Sequence, residues 1–136
     1  MKFTTLTGST RRVSKIKKHL IDWSSTSRSK FQFSVKKFLE PYWSRHIVFE
    51  EFPIVGTKMS LDFFNANEKV AIEVQGDQHT KYVPYFHGGH KVNYLSQLQR
   101  DNDKLKFCDI NGIKLVEIYS NDVVDEKLFR KYEVYL

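Results

Sequence analysis

The sequence predicts an α/β (α+β) domain built as a mixed central β-sheet flanked by helices. Three observations lead there. Apolar residues recur at helical spacing as far as residue 42, alternate with a period of two between residues 47 and 75, and return to helical spacing beyond residue 91. The elements so read follow the order α–β–β–β–α–β–α, the mark of a sheet packed by helices. With 136 residues, 40% apolar and 15% aromatic, the chain has material for one packed core and not for two.

Each element has its own signal. Residues 1–10 are polar and are expected to be loosely ordered. Val13, Ile16, Leu20 and Trp23 stand at helical spacing with Lys15, Lys17 and Lys18 largely opposite, which predicts a short helix over 13–23. The hydroxyl-rich stretch 24–29 reads as a linker ending in an N-cap. Phe31, Val35, Phe38, Leu39 and Tyr42 then predict an amphipathic helix, disturbed near Pro41. Residues 47–52 read as a strand and 53–58 as its exit turn around Gly56. Met59, Leu61 and Phe63 alternate with Ser60, Asp62 and Phe64; a turn follows at 65–68; Val70, Ile72 and Val74 alternate with Ala71, Glu73 and Gln75. Residues 76–91 form an irregular loop rich in His and aromatics, and long loops in small domains tend to carry function. A long helix is expected over 92–109, stopped by Asn111-Gly112, then a strand over 113–119 and a closing helix over 125–132.

The formal charge of +6 is unevenly placed. Residues 1–40 carry ten basic side chains against two acidic, a net +8; the other 96 residues carry twelve against fourteen, a net −2. A basic arm over 1–28 is therefore set apart from a core over 29–136. A concentrated basic segment suits a polyphosphate partner, because each neutralised phosphate releases counterions. The residues placed to contact such a partner are Arg11, Arg12, Lys15, Lys17 and Lys18, with Lys81 and Arg100 nearer the core. A solvated arm with no specific target is the plainer alternative. No apolar run approaches the ~20 residues that span a bilayer, and the arm lacks the long apolar face of a lipid-binding helix, so no membrane partner is expected. The N-terminus shows no secretory-type leader, and the lone Cys108 excludes an internal disulfide framework or a multi-Cys zinc site. These features imply a reduced, intracellular, cytoplasmic protein.

The chemistry is concentrated in the second hairpin. With a turn at 65–68, Phe64 faces Lys69, Asp62 faces Ala71 and Ser60 faces Glu73. Asp62, Glu73 and Gln75 then share one face, with Asp62 and Glu73 as diagonal neighbours roughly 7–8 Å apart. Two carboxylates so placed can share a hard divalent cation. Mg²⁺ suits them, with Mn²⁺ as a substitute, since it needs only one or two carboxylates plus water and phosphate oxygens. Metal-assisted hydrolysis is the chemistry that follows. Ordinary solvent-facing strand residues would give the same spacing. Beyond the strand, Gly76 bends the chain and projects Gln78 and His79 over its end, where His79 can act as general acid or base or bind phosphate. His87 and His90 flank Gly88-Gly89 and read more readily as a flexible loop than as ligands. In the long helix Leu98, Leu105 and Cys108 define an apolar stripe. Asp101 lies three residues after Leu98 and four before Leu105, on the side expected to be buried, where an unpaired carboxylate is costly.

The segments Ser60-Leu61-Asp62-Phe63, Ile72-Glu73-Val74-Gln75-Gly76-Asp77-Gln78-His79, Gln99-Arg100-Asp101-Asn102-Asp103-Lys104 and Ile113-Lys114-Leu115-Val116-Glu117-Ile118 together resemble the PD-(D/E)xK nuclease superfamily. Within it they are similar to the branch of very-short-patch repair endonucleases and phage-encoded homing endonucleases with an EDxHD site. The resemblance covers about residues 29–119. It implies a restriction-endonuclease-like core, double-stranded DNA as the partner of the basic residues, and divalent-metal-dependent cleavage of DNA phosphodiesters. Carried over residue by residue, it makes Asp62 the principal metal ligand and Glu73 the second acid, with the Val74 carbonyl as a further ligand. Gln75, His79 and Asp101 complete the catalytic set. Two positions depart from the pattern. Gln75 stands where the superfamily usually has Lys, so charge must come from the metal, His79, Lys81 or Lys104. The branch's first acid has no clear match, with Gln32 near its position and Glu50 or Glu51 as substitutes.

The expected activity is thus a metal-dependent DNA endonuclease, of the phage-encoded homing type. Alternatives are a branched-DNA resolvase or mismatch nickase of the same fold, and a catalytically silent DNA-binding module. A long target site would call for a homodimer.

Overall fold

The computed structural model describes residues 1–76 and 91–136. A two-stranded hairpin comes first, β1 (Lys2–Thr4) with β2 (Thr10–Arg12), followed by a single 3-10 turn at Ile16–His19. Then come α1 (Lys30–Trp43), β3 (Val48–Pro53), β4 (Ser60–Asn65), β5 (Val70–Gln75), α2 (Lys91–Ile110), β6 (Lys114–Tyr119) and α3 (Glu126–Arg130). The main sheet has the order β3-β4-β5-β6, antiparallel except for the parallel β5–β6 pair. The molecule is thus mixed α/β with a mixed four-stranded sheet. No helix among the described residues is long and apolar enough to cross a membrane.

Successive strand residues point to opposite faces, and the core divides accordingly. Ala71 joins Phe64, Phe107, Cys108 and Ile113 in one apolar cluster. Its neighbours Val70 and Ile72 join Val35, Leu39, Trp43, Val116 and Phe129 in the other. Helix α2 and the hairpin therefore cover one face of the sheet, α1 and α3 the other. Ser29 caps α1 as expected: its backbone is extended and its Oγ accepts the Gln32 N–H at 3.0 Å. Pro41 lies in the last turn of α1, and Val35, Leu39 and Trp43 bury its apolar stripe.

Three expectations are corrected. Residues 1–10 are ordered, because Phe3 is buried edge-on to Phe52 (5.6 Å) and Phe64 (6.0 Å) and tilted against Phe107 (5.8 Å). Thr4 N–H donates to Asn111 Oδ1 (2.8 Å) and Asn111 Nδ2 donates to the Thr4 carbonyl (2.9 Å), tying the hairpin to the end of α2. Gly56, in the β3–β4 turn, has φ 81°, and a Cβ there would sit 3.2 Å from Thr5 Cγ2, so the hairpin also needs this glycine. The expected helix over 13–23 is not formed. Lys15 adopts a left-handed conformation (φ 50°), and the chain then runs along the outer edge of β3. There Leu20 bridges Phe49 and the Ile21 N–H donates to the Val48 carbonyl at 3.0 Å. The apolar residues at helical spacing serve a sheet edge instead.

The third correction concerns α2. Leu98 and Leu105 are exposed, while Phe107 and Cys108 are buried and Lys104 turns toward the sheet. Asp101 shares the face of Lys104 and Cys108 by its spacing and is half-buried, so its sheetward position rests on a different stripe from the one expected.

Candidate functional site

The β4–β5 register decides the site. Asn65 pairs with Val70, Phe64 with Ala71 and Phe63 with Ile72, two residues away from the expected pairing because the turn falls at 66–69, with Lys69 at φ 55°. A two-residue shift leaves every side chain on its face. One step beyond Phe63–Ile72 this register sets Asp62 opposite Glu73, directly and not diagonally.

Both carboxylates are buried, Asp62 6% and Glu73 4% exposed. They continue the hairpin with side chains: the Asp62 N–H donates to Glu73 Oε2 (2.8 Å), and the Val74 N–H donates to Asp62 Oδ2 (2.7 Å). The other oxygen of each carboxylate holds a cation. Lys104 Nζ from α2 is bonded to Glu73 Oε1, and the Arg28 guanidinium donates to Asp62 Oδ1 at 3.0 Å. Arg28 also reaches Glu51 Oε2 at 3.1 Å. Burial, and next the charge of Asp62, push the Glu73 carboxyl up to about 7, against the pull of Lys104. Burial likewise raises Asp62, opposed by the Val74 N–H. The Cys108 thiol, buried beneath them, is pushed up to about 12 and stays neutral.

Glu51 reaches this cluster from β3 through a backbone kink. Its φ is 54°, in the left-handed region. Phe49 and Phe52, three residues apart, consequently join the same apolar cluster, which a flat strand would forbid. Gln32 Nε2 from α1 donates to both Glu51 Oε1 (3.0 Å) and Glu50 Oε2 (2.9 Å). Glu50 is otherwise committed to the fully buried Lys36, whose Nζ lies 2.8 Å from Glu50 Oε1 and donates to the carbonyls of Asp22 and Ser25 at 3.0 Å. Of the two acids on β3, Glu51 alone shares a cation with Asp62.

The remaining predicted residues distribute as follows. Gln75 ends β5 on the Glu73 face, half-buried. Asp101 lies near Tyr119, whose hydroxyl bonds Glu117 and is raised first by burial, with Asp101 a lesser cause. Arg100 is exposed on α2; Arg11, Arg12, Lys15, Lys17 and Lys18 are exposed on β2 and around the 3-10 turn. His79 and Lys81, with His87 and His90, lie outside the described residues. Sequence reasoning missed Arg28; its one signal was an isolated arginine just before the Ser29 cap. Lys36 could have been found as a lysine among the apolar positions of α1.

The pair fits a divalent cation within limits. Among the described residues no group of three or more His, Cys, Asp or Glu side chains could hold a metal ion. A cation held here is therefore a two-carboxylate cation completed by water and substrate oxygens, a set that Mg²⁺ accepts. Asp62 Oδ1 and Glu73 Oε1 already hold positive charge, from Arg28 and Lys104.

No family model matches the chain, and no solved structure matches it. It is 41% identical over 66 residues to uncharacterized protein 094L of Frog virus 3 (isolate Goorha), covering 48% of this chain and 43% of that protein. It is 30% identical over 98 residues to uncharacterized protein 033L of Invertebrate iridescent virus 3 (68% and 50%). It is 32% identical over 60 residues to uncharacterized protein 307L of Invertebrate iridescent virus 6 (44% and 30%). The chain thus spans half or less of the length of these curated relatives, all three of them viral proteins.

Proposed function

We propose that this protein is a divalent-metal-dependent endodeoxyribonuclease with a core of the restriction-endonuclease-like, PD-(D/E)xK type. The observation that carries the reading is the Asp62–Glu73 pair, two buried carboxylates opposite one another at a strand end. Burying two like charges side by side costs several kcal/mol or more unless cations repay it. A fold that needed only a hydrophobic sheet would not place them there. The order α1-β3-β4-β5-α2-β6 with a final parallel strand is in keeping with that core.

Asp62 and Glu73 are the residues that would hold Mg²⁺ or Mn²⁺, with the Val74 carbonyl as a third ligand. When bound, the cation supplies Lewis acidity at the phosphodiester and acidifies a water. Lys104 brings to Glu73 the positive charge that Gln75 lacks. Asp101, on the same helix face, is the further catalytic carboxylate of this reading. The exposed cations Arg11, Arg12, Lys15, Lys17 and Lys18 hold the DNA backbone, and the net −2 beyond residue 40 makes that attraction necessary. A homing-type role is the narrower form of this proposal.

A second reading, a silent DNA-binding module, is favoured by one fact: all four oxygens of the pair already have a donor. Asp62→Ala separates the two. The nuclease reading expects Mg²⁺-dependent cleavage of duplex DNA to vanish in this variant while DNA affinity stays within about threefold, since backbone contacts lie elsewhere. Full cleavage by the variant refutes it.

A further inference from the structure

The basic N-terminal segment and the acidic pair meet through one side chain. The bridge between Leu20 and Phe49 runs residues 20–21 antiparallel along β3 and brings Lys18 and His19 beside Glu50 and Glu51. A pocket of about 530 Å³ opens there, lined by Lys18, His19, Thr26, Ser27 and Arg28 together with Glu50 and Glu51. Its acids are largely answered: Glu50 by Lys36, Gln32 and Ser27 Oγ (2.7 Å), Glu51 by Gln32 and Arg28, while Asp22 stands at the rim. Helix α1 starts at the same rim with no acidic residue in its first turn.

Arg28 belongs to both places. Its side chain is 67% exposed, yet its guanidinium ends on Asp62, whose side chain is 8% exposed. A guanidinium binds a phosphate and a carboxylate with the same planar donor fork, so it can trade one for the other. Leaving Asp62 bare and buried is costly, so the trade needs a replacement cation.

Resting on the nuclease reading of the Asp62–Glu73 pair, we propose that Arg28 is an exchangeable counter-ion. In the free protein it neutralises Asp62 and Glu51. When a backbone phosphate of nucleic acid enters the Lys18–Arg28 pocket, the guanidinium moves to the phosphate and a divalent cation takes its place on the carboxylates. Phosphate and cation then help each other bind, and the coupling is reciprocal. The site holds metal more tightly when substrate is present.

The test is calorimetric titration of Mn²⁺ into the full chain, free and saturated with a hydrolysis-resistant phosphorothioate duplex. Wild type is expected to bind Mn²⁺ about tenfold more tightly with DNA present. In Arg28→Ala the DNA-free protein should bind Mn²⁺ about tenfold more tightly than wild type, and the effect of DNA should shrink to within about twofold. Lys18→Ala removes an equal charge from the same pocket and should leave DNA-free Mn²⁺ affinity unchanged while weakening DNA binding. Arg28→Lys keeps the charge but not the planar donor fork, and should restore only part of the coupling. An Arg28→Ala protein with wild-type coupling overturns the proposal, as does a Lys18→Ala protein matching Arg28→Ala. If wild type binds Mn²⁺ and DNA without coupling, this inference fails and the nuclease reading stands. If it binds no Mn²⁺ at all, both fail.

Discussion

Glu73→Gln should change how stability depends on pH. The Glu73 carboxyl titrates near 4.5 in an unfolded chain and is raised to about 7 in the fold, first by burial and then by Asp62. A raised carboxyl favours folding while it is protonated. That contribution is whole below 4.5 and is lost as pH rises through about 7. At about pH 8 the ionised group costs on the order of 3 kcal/mol, and at about pH 5.5 on the order of 1 kcal/mol. Wild type should therefore gain about 2 kcal/mol on acidification across that window, several degrees in Tm for a chain of this size. Glu73→Gln cannot ionise and should lack this gain, so the difference between the two proteins reports the Asp62–Glu73 pair apart from titrations elsewhere in the chain. Thermal unfolding of metal-free protein at intervals of pH is the assay. Adding Mg²⁺ near pH 8 should raise the Tm of wild type and leave the variant unmoved. Parallel pH profiles for wild type and Glu73→Gln would refute the reasoning, because they would mean that the pair is not held under electrostatic stress.

Other predictions follow from the same geometry. Phe3→Ala should cost about 3 kcal/mol in urea unfolding, the usual price of emptying an aromatic core position. It should also weaken salt-sensitive DNA binding, because Arg11 and Arg12 ride on the hairpin that Phe3 anchors. Lys104→Met should lower Mg²⁺-dependent cleavage by about a hundredfold, the scale of losing one preorganised electrostatic donor, with DNA affinity little changed in a filter-binding assay. Unaltered cleavage would remove Lys104 from the proposed site.

Alternation made β4 and β5 legible in the sequence, and their shared face survived an error in register. A slip of two residues keeps parity, so Asp62, Glu73 and Gln75 stay together whichever turn is chosen. The Ser29 cap and the stripe of α1 were legible for a similar reason, since both are local. The N-terminal hairpin was not. Its order depends on Thr4 meeting Asn111, 107 residues away, and on Phe3 entering an aromatic cluster assembled by three other elements. Helical spacing in residues 13–23 misled because an edge segment beside β3 can use the same apolar residues. The α2 stripe misled because Leu98 and Leu105 are exposed and a lysine, Lys104, faces the sheet. A lysine on a sheet-facing position has a meaning only once its partner Glu73 is placed. Arg28 is the extreme case: its role exists only where the linker, β3 and β4 converge.

The central claim is that the Asp62–Glu73 pair is a metal-dependent nuclease centre. Incubating supercoiled plasmid with the full chain in Mg²⁺, beside a chelator control and Glu73→Gln, tests it most directly. The account predicts nicked or linear DNA with wild type and Mg²⁺ alone. Intact plasmid with wild type, or equal cleavage by Glu73→Gln, would contradict it.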